Sequence, residues 1–309
     1  MNWLTIAIIS YAFTAVANIL DKLILAKYLK AAAIYAFYVG ILGIISLIFI
    51  PFGVKWEGVE QFAISLITGF GFVTALYIMY SAFLRGETTK VATIIGGSLP
   101  IYTFILSFLF LGERLFVNEI IAFVFLIAGM VIIGWESKPK IHWWQRVSHV
   151  HKRKRGYLSL ALISGLIFSL TFVLSKYVYD NQGFISGFFW MRIGTFVGAL
   201  LILLVPKWRK LVREDLQAPK KSQGKGKTLL ITNQIIGALG FLLLNYAISL
   251  GSVTLINAMQ GLQYVFIFII SVIMGRFIAE VREEYTPSIL VQKILGIIMI
   301  STGLIFLAL

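Results

Sequence analysis

The chain has 309 residues, of which 59% are hydrophobic and 13% are charged, and its formal net charge is +14. A mean hydropathy of +0.92 is higher than a soluble domain can keep from water, so the composition indicates an integral membrane protein. The absence of cysteine excludes disulfides, thiol catalysis and cysteine-ligated metals. The basic residues are spread among many short segments rather than gathered in one domain, which argues against nucleic-acid binding.

Ten apolar stretches are each long enough to cross a bilayer as a helix. They lie near residues 3–25, 31–51, 62–84, 89–111, 117–135, 157–178, 185–205, 228–250, 254–275 and 290–308. The sequence therefore predicts an all-α integral membrane protein without a separate soluble domain. No basic segment of the signal-peptide type precedes the first stretch, so we expect it to stay as a span.

The basic residues predict the orientation. Of the 27 Lys and Arg residues, 23 lie in or beside the connections that follow spans 1, 3, 5, 7 and 9. The positive-inside rule places these connections, including loops 138–156 and 207–227, in the cytoplasm. It places both termini on the outer side of the plasma membrane. Loop 138–156 is suited to anionic lipid headgroups, and residues 207–217 are typical of a short interfacial helix before a flexible tether. The three histidines, His142, His149 and His151, share loop 138–156, but no acidic residue there completes a metal site.

Short patterns recur in the two halves of the chain. Ser10 and Lys22 of span 1 match Ser164 and Lys176 of span 6 at equal spacing, and residues 80–89 match residues 245–254. Because each half has five spans, the second copy must enter the membrane from the opposite side. We therefore expect two inverted five-helix repeats, residues 1–137 and 157–309, joined by the basic loop 138–156.

Two motifs connect these repeats with a known family. Span 4 contains Pro100 and ends in Leu-Gly-Glu-Arg-Leu at residues 111–115, and span 5 contains Ile-Ala-Gly at residues 127–129. With these motifs the chain resembles the EamA group of the drug/metabolite transporter superfamily. The resemblance implies a carrier that works by alternating access, with a central cavity lined mainly by helices 1, 3, 4, 6, 8 and 9. Members usually export amino acids and other small metabolites.

The chain departs from that family in two respects. The second repeat lacks the Glu-Arg pair, since residues 275–280 read Gly-Arg-Phe-Ile-Ala-Glu, and Glu283 and Glu284 follow. Comparable family members have both termini in the cytoplasm, whereas the charge distribution of this chain indicates the reverse.

Polar side chains within the spans are the candidates for substrate contact, because such groups are costly in lipid. Arg192 in span 7, beside Trp190, could bind a carboxylate or phosphate, or it could pair with carbonyls or extend towards the helix end. Amides on single faces of spans 8 and 9 are further candidates, with interhelical hydrogen bonding as the alternative. The other candidates are Tyr38, Tyr77, Tyr80, Ser98, Tyr102, Gln234, Asn245, Asn257, Gln260 and Tyr264.

Charged residues near the span ends are candidates for gates. Lys22 with Asp21 and Lys176 lie at equivalent depths in the two repeats, where anchoring at the membrane surface is the alternative explanation. Glu113 and Arg114 of the motif after span 4 complete the set.

The leading hypothesis is a secondary transporter, an exporter of small polar metabolites such as amino acids. No span carries a carboxylate at its middle, which disfavours cation/proton antiport of the small multidrug type, and no nucleotide-binding loop or cofactor motif is present. A zwitterionic or anionic substrate, protons as coupling ion and a monomer or homodimer are expected. The alternatives are a transporter of lipid-like or organic-anion substrates and a scaffold or sensor packed through Gly194-x-x-x-Gly198. A membrane enzyme is not expected, because its acidic candidates lie only in short loops.

Overall fold

The structure is a computed structural model that describes residues 2–28, 32–86, 88–134, 156–217, 224–274 and 286–308. Side chains are described for residues 2–20, 32–86, 90–134, 156–216, 232–274 and 286–308. Every regular element in these ranges is helical. The α-helices are α1 (Trp3–Tyr28), α2 (Ala32–Ile41), α3 (Val59–Phe83), α4 (Thr88–Leu111), α5 (Val117–Gly134), α6 (Tyr157–Ile202), α7 (Pro206–Gln217), α8 (Gly224–Leu250), α9 (Val253–Ala258), α10 (Gly261–Met274) and α11 (Pro287–Ala308), and a 3-10 helix spans Leu42–Phe52.

Within the described ranges, nine helical segments are long and apolar enough to cross a bilayer. One of them, α6, has 46 residues and would extend about 69 Å if straight, more than twice the thickness of a hydrocarbon core. It is broken at Gly183, whose φ of 71° and ψ of 168° are accessible to glycine alone among common residues. The first arm (residues 157–182) and the second arm (residues 184–202) correspond to spans 6 and 7. The prediction of an all-α membrane fold is confirmed.

Two predicted spans are not continuous α-helices. The stretch 31–51 is α2 followed by the 3-10 helix, and the stretch 254–275 is divided into α9 and α10 by a break at Met259 and Gln260. A break in a membrane helix leaves backbone carbonyls without their intrahelical N–H partners, so they need hydrogen-bond donors from elsewhere in the protein. The Tyr11 hydroxyl of α1 supplies one, donating to the Ile256 carbonyl at 2.6 Å.

Glycines allow close helix contacts within the chain. The second arm of α6 packs against α3, where a Cβ on Gly194 would lie 2.6 Å from the Leu66 carbonyl oxygen and one on Gly198 would lie 3.3 Å from Phe70. The Gly-x-x-x-Gly motif therefore serves a contact inside one chain. Helices α5 and α11 approach similarly through Gly129 and Gly296.

Several predictions concern the connecting segments and the span ends. A helix is present over the predicted stretch as α7, whereas the predicted tether is shorter than expected because α8 already begins at Gly224. The side chains of Asp21 and Lys22, residues 138–155 with the three histidines, residues 218–223 and the acidic residues 280–284 lie outside the described part of the chain. Large apolar side chains on the outer helix faces, such as Phe108, Leu109 and Phe110, are exposed, as expected of lipid-facing residues.

Gly69→Ala tests the packing of α3 on α6. The added Cβ would overlap the Met191 carbonyl oxygen and lie 2.5 Å from the Thr195 nitrogen, and neither backbone atom can move independently of its helix. We expect a loss of about 1–3 kcal/mol of stability, as for other overpacked sites, measured by thermal unfolding in detergent. Gly97→Ala is the control, because the nearest atom to its Cβ would be Val131 Cγ2 at 3.9 Å. Equal melting temperatures for the two variants would contradict the packing.

Candidate functional site

A small cavity, mainly apolar but with several polar groups in its lining, lies between α3, both arms of α6 and α8. The volume open to water is about 20 Å³, room for about one water molecule. A metabolite can enter only if these helices separate. The lining residues are Thr68, Gly69, Phe72, Thr171, Phe172, Ser175, Tyr179, Phe188, Met191, Arg192, Thr195, Phe241 and Asn245.

Arg192 is the charged residue in this lining. Its guanidinium carbon lies 4.7 Å from the ring centroid of Phe241, 5.5 Å from that of Phe188 and 5.9 Å from that of Phe72. Aromatic faces attract a cation but do not accept its N–H groups in strong hydrogen bonds. The buried Nη1 has no hydrogen-bond partner among the described residues. A desolvated N–H of this kind is available to an incoming anion.

Tyr179 and Asn245 form a second polar group in the cavity. The Tyr179 hydroxyl donates to Asn245 Oδ1 at 2.8 Å, and Asn245 Nδ2 donates to the Phe241 carbonyl at 2.8 Å. These bonds orient the amide and leave its second N–H free to donate to a ligand.

Four hydroxyl groups of the lining already donate a hydrogen bond to a backbone carbonyl. Each donates its one hydrogen to the carbonyl four residues earlier in its own helix, a common arrangement for Ser and Thr in helices. The distances are 2.7 Å for Thr68, 2.8 Å for Thr171 and Ser175, and 2.9 Å for Thr195. Towards the cavity these oxygens can only accept. The cavity thus has a donor at Arg192 and acceptors along α3 and α6.

Of the residues predicted from the sequence, Arg192 and Asn245 line this cavity and the others lie elsewhere. Trp190 lies outside it, where its indole N–H donates to the Lys55 carbonyl at 3.0 Å. Tyr38 and Tyr77 contact the interfacial helix α7: the Tyr38 hydroxyl donates to Asp215 at 2.8 Å, and the Tyr77 ring lies 4.8 Å from that of Trp208.

The remaining candidates contact neighbouring helices. Tyr80 packs on Tyr35 with ring centroids 4.1 Å apart, and Tyr264 donates to the Ala92 carbonyl at 3.3 Å. Ser98 instead donates to the Ile95 carbonyl of its own helix at 3.1 Å, and Asn257 donates to Thr103 of α4 at 3.3 Å. Tyr102 and Gln234 are half-buried, as is Gln260, whose buried Oε1 has no partner among the described residues.

The candidate gate residues differ in their surroundings. Lys176 pairs with Asp180 at 2.9 Å within α6, which agrees with an anchoring role. Glu113, which follows α4, accepts a hydrogen bond from Thr254 of α9 at 2.7 Å, while the adjacent Arg114 is exposed.

Most of the lining residues were not predicted from the sequence. Thr171, Ser175 and Tyr179 follow at intervals of four residues on one face of span 6, a signal that could have indicated them. The aromatic residues around Arg192 had no such signal, because phenylalanine is common throughout the spans.

These features define a class of protein, a multi-pass α-helical membrane protein with a small cavity between its helices that contains a buried arginine. The EamA-like transporter family matches residues 155–309, half of the chain, and the protein belongs to this family. The resemblance inferred from the sequence is confirmed, and the protein is a transporter of the drug/metabolite transporter type.

Comparison with solved structures supports the fold alone. One solved structure, titled only "Crystal structure of protein", aligns with 97% of this chain and 95% of its own, at a TM-score of 0.62 and 13% identity. No curated protein matched the sequence.

Tyr179→Phe tests the polar pair in the cavity. Removal of the hydroxyl leaves Asn245 Oδ1 without its donor, so we expect a loss of about 1–3 kcal/mol of stability, measured by thermal unfolding. Tyr177→Phe is the matched control on the same helix, since Tyr177 is only half-buried and lies outside the cavity. If both variants have the melting temperature of the unmodified protein, the Tyr179–Asn245 hydrogen bond does not stabilise the fold.

Proposed function

We propose that this protein is a secondary transporter that exports small metabolites carrying a carboxylate, amino acids among them, by alternating access. The observation that carries the proposal is the buried Nη1 of Arg192 in the cavity, which has no hydrogen-bond partner in the part of the chain that the structure describes. A guanidinium binds a carboxylate through parallel N–H bonds, and the low dielectric strengthens that contact.

The other polar groups of the cavity favour a zwitterion. The hydroxyls of Thr171 and Ser175 already donate to carbonyls of their own helix, so their oxygen lone pairs can accept hydrogen bonds from a substrate ammonium group. Phe172 and Met191 offer apolar surface to the substrate side chain. No carboxylate belongs to the described lining, which disfavours a substrate with only positive charge.

Contacts at two ends of the helices support alternating access. Glu113, which follows α4, and Thr254, in the first turn of α9, join the predicted first and second repeats. At the other end, α7 contacts α2 and α3 through Asp215 and Trp208. We propose that these contacts open in turn as the cavity faces one side and then the other. A gate at Lys22 and Asp21 stays a prediction, as do cytoplasmic basic loops that contact anionic lipid.

An organic anion is the second candidate substrate. Four phenylalanines line the cavity around one cation, an arrangement that also suits a carboxylate on an apolar body without an ammonium group.

Reconstitution in liposomes tests the proposed function. Labelled leucine, phenylalanine, benzoate and a sugar phosphate are offered to liposomes that contain the purified protein. We expect saturable uptake of the amino acids. Saturable uptake of benzoate alone would favour the second candidate, and no uptake of any compound by correctly inserted protein would refute a carrier of small anions and zwitterions.

Arg192→Gln tests the substrate contact. The loss of a charge-assisted hydrogen bond costs about 1.5–3 kcal/mol, equivalent to about 10- to 150-fold weaker binding. Arg192→Lys should bind with intermediate affinity, because it keeps the charge but loses the planar fork. Binding of labelled leucine in detergent is the measurement, and Arg209→Gln on the exposed face of α7 is the control. Equal affinities for Arg192→Gln and the control would exclude this contact.

The absence of cysteine makes the orientation directly testable. Glu57 lies exposed between the 3-10 helix and α3, and Lys210 lies exposed on α7. From the positive-inside rule we expect a membrane-impermeant maleimide to label a Glu57→Cys variant on intact cells and a Lys210→Cys variant only after permeabilisation. The opposite pattern would place both termini in the cytoplasm.

A further inference from the structure

The two arms of α6 meet in a turn of three residues, Gln182, Gly183 and Phe184, which we call the elbow. The elbow lies at the end of the cavity that is farther from α7, because α7 follows the opposite end of the second arm. The lining residues nearest to it are Tyr179 on the first arm and Phe188 on the second, about one helical turn away on either side. The elbow therefore separates the cavity from the protein surface at this end.

Phe184 lies between the cavity lining and α8. Its ring centroid lies 5.5 Å from those of Tyr179 and Phe188, which both line the cavity. On its other side it lies 5.0 Å from the ring centroid of Tyr246, a residue of α8 that is 40% exposed. A continuous row of ring contacts thus leads from the cavity through Phe184 to the surface.

Gln182 holds the elbow against α3. Its side-chain amide is buried and donates to Ser65 Oγ at 2.9 Å and to the Gln61 carbonyl at 3.0 Å. The next residue, Gly183, is exposed, and no described atom lies within 4 Å of the position that a Cβ would take there. The side chains that flank Gly183 therefore hold the elbow in place, and packing of Gly183 itself does not.

The elbow can open without leaving a buried hydroxyl or carbonyl unpaired. The Ser65 hydroxyl donates to the Gln61 carbonyl at 2.8 Å, and this bond does not depend on Gln182. The released amide of Gln182 would lie beside the exposed Gly183, where water can replace its partners. Separation of the aromatic rings breaks van der Waals contacts but no hydrogen bond.

We propose that the elbow is the gate of the Arg192 cavity at this end, in which Phe184 blocks the passage, Gln182 is the latch and Gly183 is the hinge. This inference rests on the proposed function, since a gate serves the passage of a substrate. The structure shows the gate closed. When Gln182 leaves α3, the ring of Phe184 moves away from Tyr246, and the cavity becomes accessible from this end.

Access to the cavity can be measured without a substrate, because the chain has no cysteine. Ser175→Cys places one thiol in the cavity, at a residue that is 3% exposed. The measurement is the rate at which methanethiosulfonate ethylsulfonate modifies this thiol in the purified protein. We expect about tenfold faster modification when Phe184→Ala is added, because the ring contacts that close the passage are lost. Phe62→Ala is the matched control, since Phe62 is also half-buried but its ring contacts Trp56 and Trp190, which lie outside the lining.

Gln182→Leu tests the latch with the same thiol. Leucine cannot donate to α3, so modification should again be faster. Asn181→Leu is the control, because Asn181 is an exposed amide that donates to the Tyr177 carbonyl of its own arm. Tyr246→Ala removes the ring contact from the exposed side and should also accelerate modification, which keeps the test decisive if Phe184→Ala fails to fold.

Three results would overturn the proposal. One is an equal modification rate for Phe184→Ala, or for Tyr246→Ala if it replaces that variant, and for Phe62→Ala. Another is an equal rate for Gln182→Leu and Asn181→Leu. The third is a Ser175→Cys thiol that, without a second substitution, reacts as fast as the exposed Glu57→Cys, since the cavity would then not be closed.

A cross-link distinguishes a gate from a structural turn. Phe184→Cys and Tyr246→Cys are combined and joined by a short bifunctional methanethiosulfonate. We expect exchange of labelled leucine across liposomes to be lost on cross-linking and restored by a reductant. The control joins Trp56→Cys to Phe62→Cys, whose native rings lie 4.9 Å apart, and should retain exchange.

The outcomes for the gate and for the proposed function differ. Exchange that persists after Phe184→Cys is cross-linked to Tyr246→Cys would overturn the gate while the proposed function stands. Absence of exchange by the unmodified protein would refute the proposed function, and the modification rates would still report whether the elbow closes the cavity.

Discussion

Hydrocarbon provides no hydrogen-bond partner, and this constraint decides where nearly every polar group of the protein lies. Many hydroxyls in the described helices donate to carbonyls of their own helix, as Thr68 and Thr195 do, and others donate to a carbonyl of a neighbouring helix, as Ser10 does to Gly240. Where span 9 is broken, the carbonyl that it releases accepts from Tyr11 of another helix. A polar group that departs from this rule is therefore informative.

Arg192 is such a departure. Three phenylalanine rings surround its guanidinium, and Nη1 has no acceptor among the described residues. Burial of an incompletely paired cation is expensive, and a protein retains one chiefly where function requires it. The same helices that bury the cation place hydroxyl lone pairs opposite it, so the proposed carboxylate contact and the acceptors arise from one packing arrangement.

The cavity and the contact at Glu113 are different parts of the proposed mechanism. Arg192 lies between α3, α6 and α8 and would bind the substrate, whereas Glu113 lies between α4 and α9 in a contact that is proposed to open and close. Separation of the two sites means that substrate binding and the opening of this contact use different groups. Movement at one site would reach the other through packed helices, which have close glycine contacts and little freedom to deform individually.

The sequence by itself determined the membrane class, the number of spans and the family, because apolar length and short motifs are local properties of the chain. It also indicated Arg192 and Asn245, since a polar residue in a span stands out against its neighbours. Only the tertiary structure decided which other side chains meet them: helical spacing shows that Thr171, Ser175 and Tyr179 share a face, but not that this face meets α3 and α8. The sequence spacing predicts one helical face for Asn257 and Tyr264, yet they lie on α9 and α10 and both contact α4. What a side chain contacts depends on the other helices and not on the sequence of its own helix.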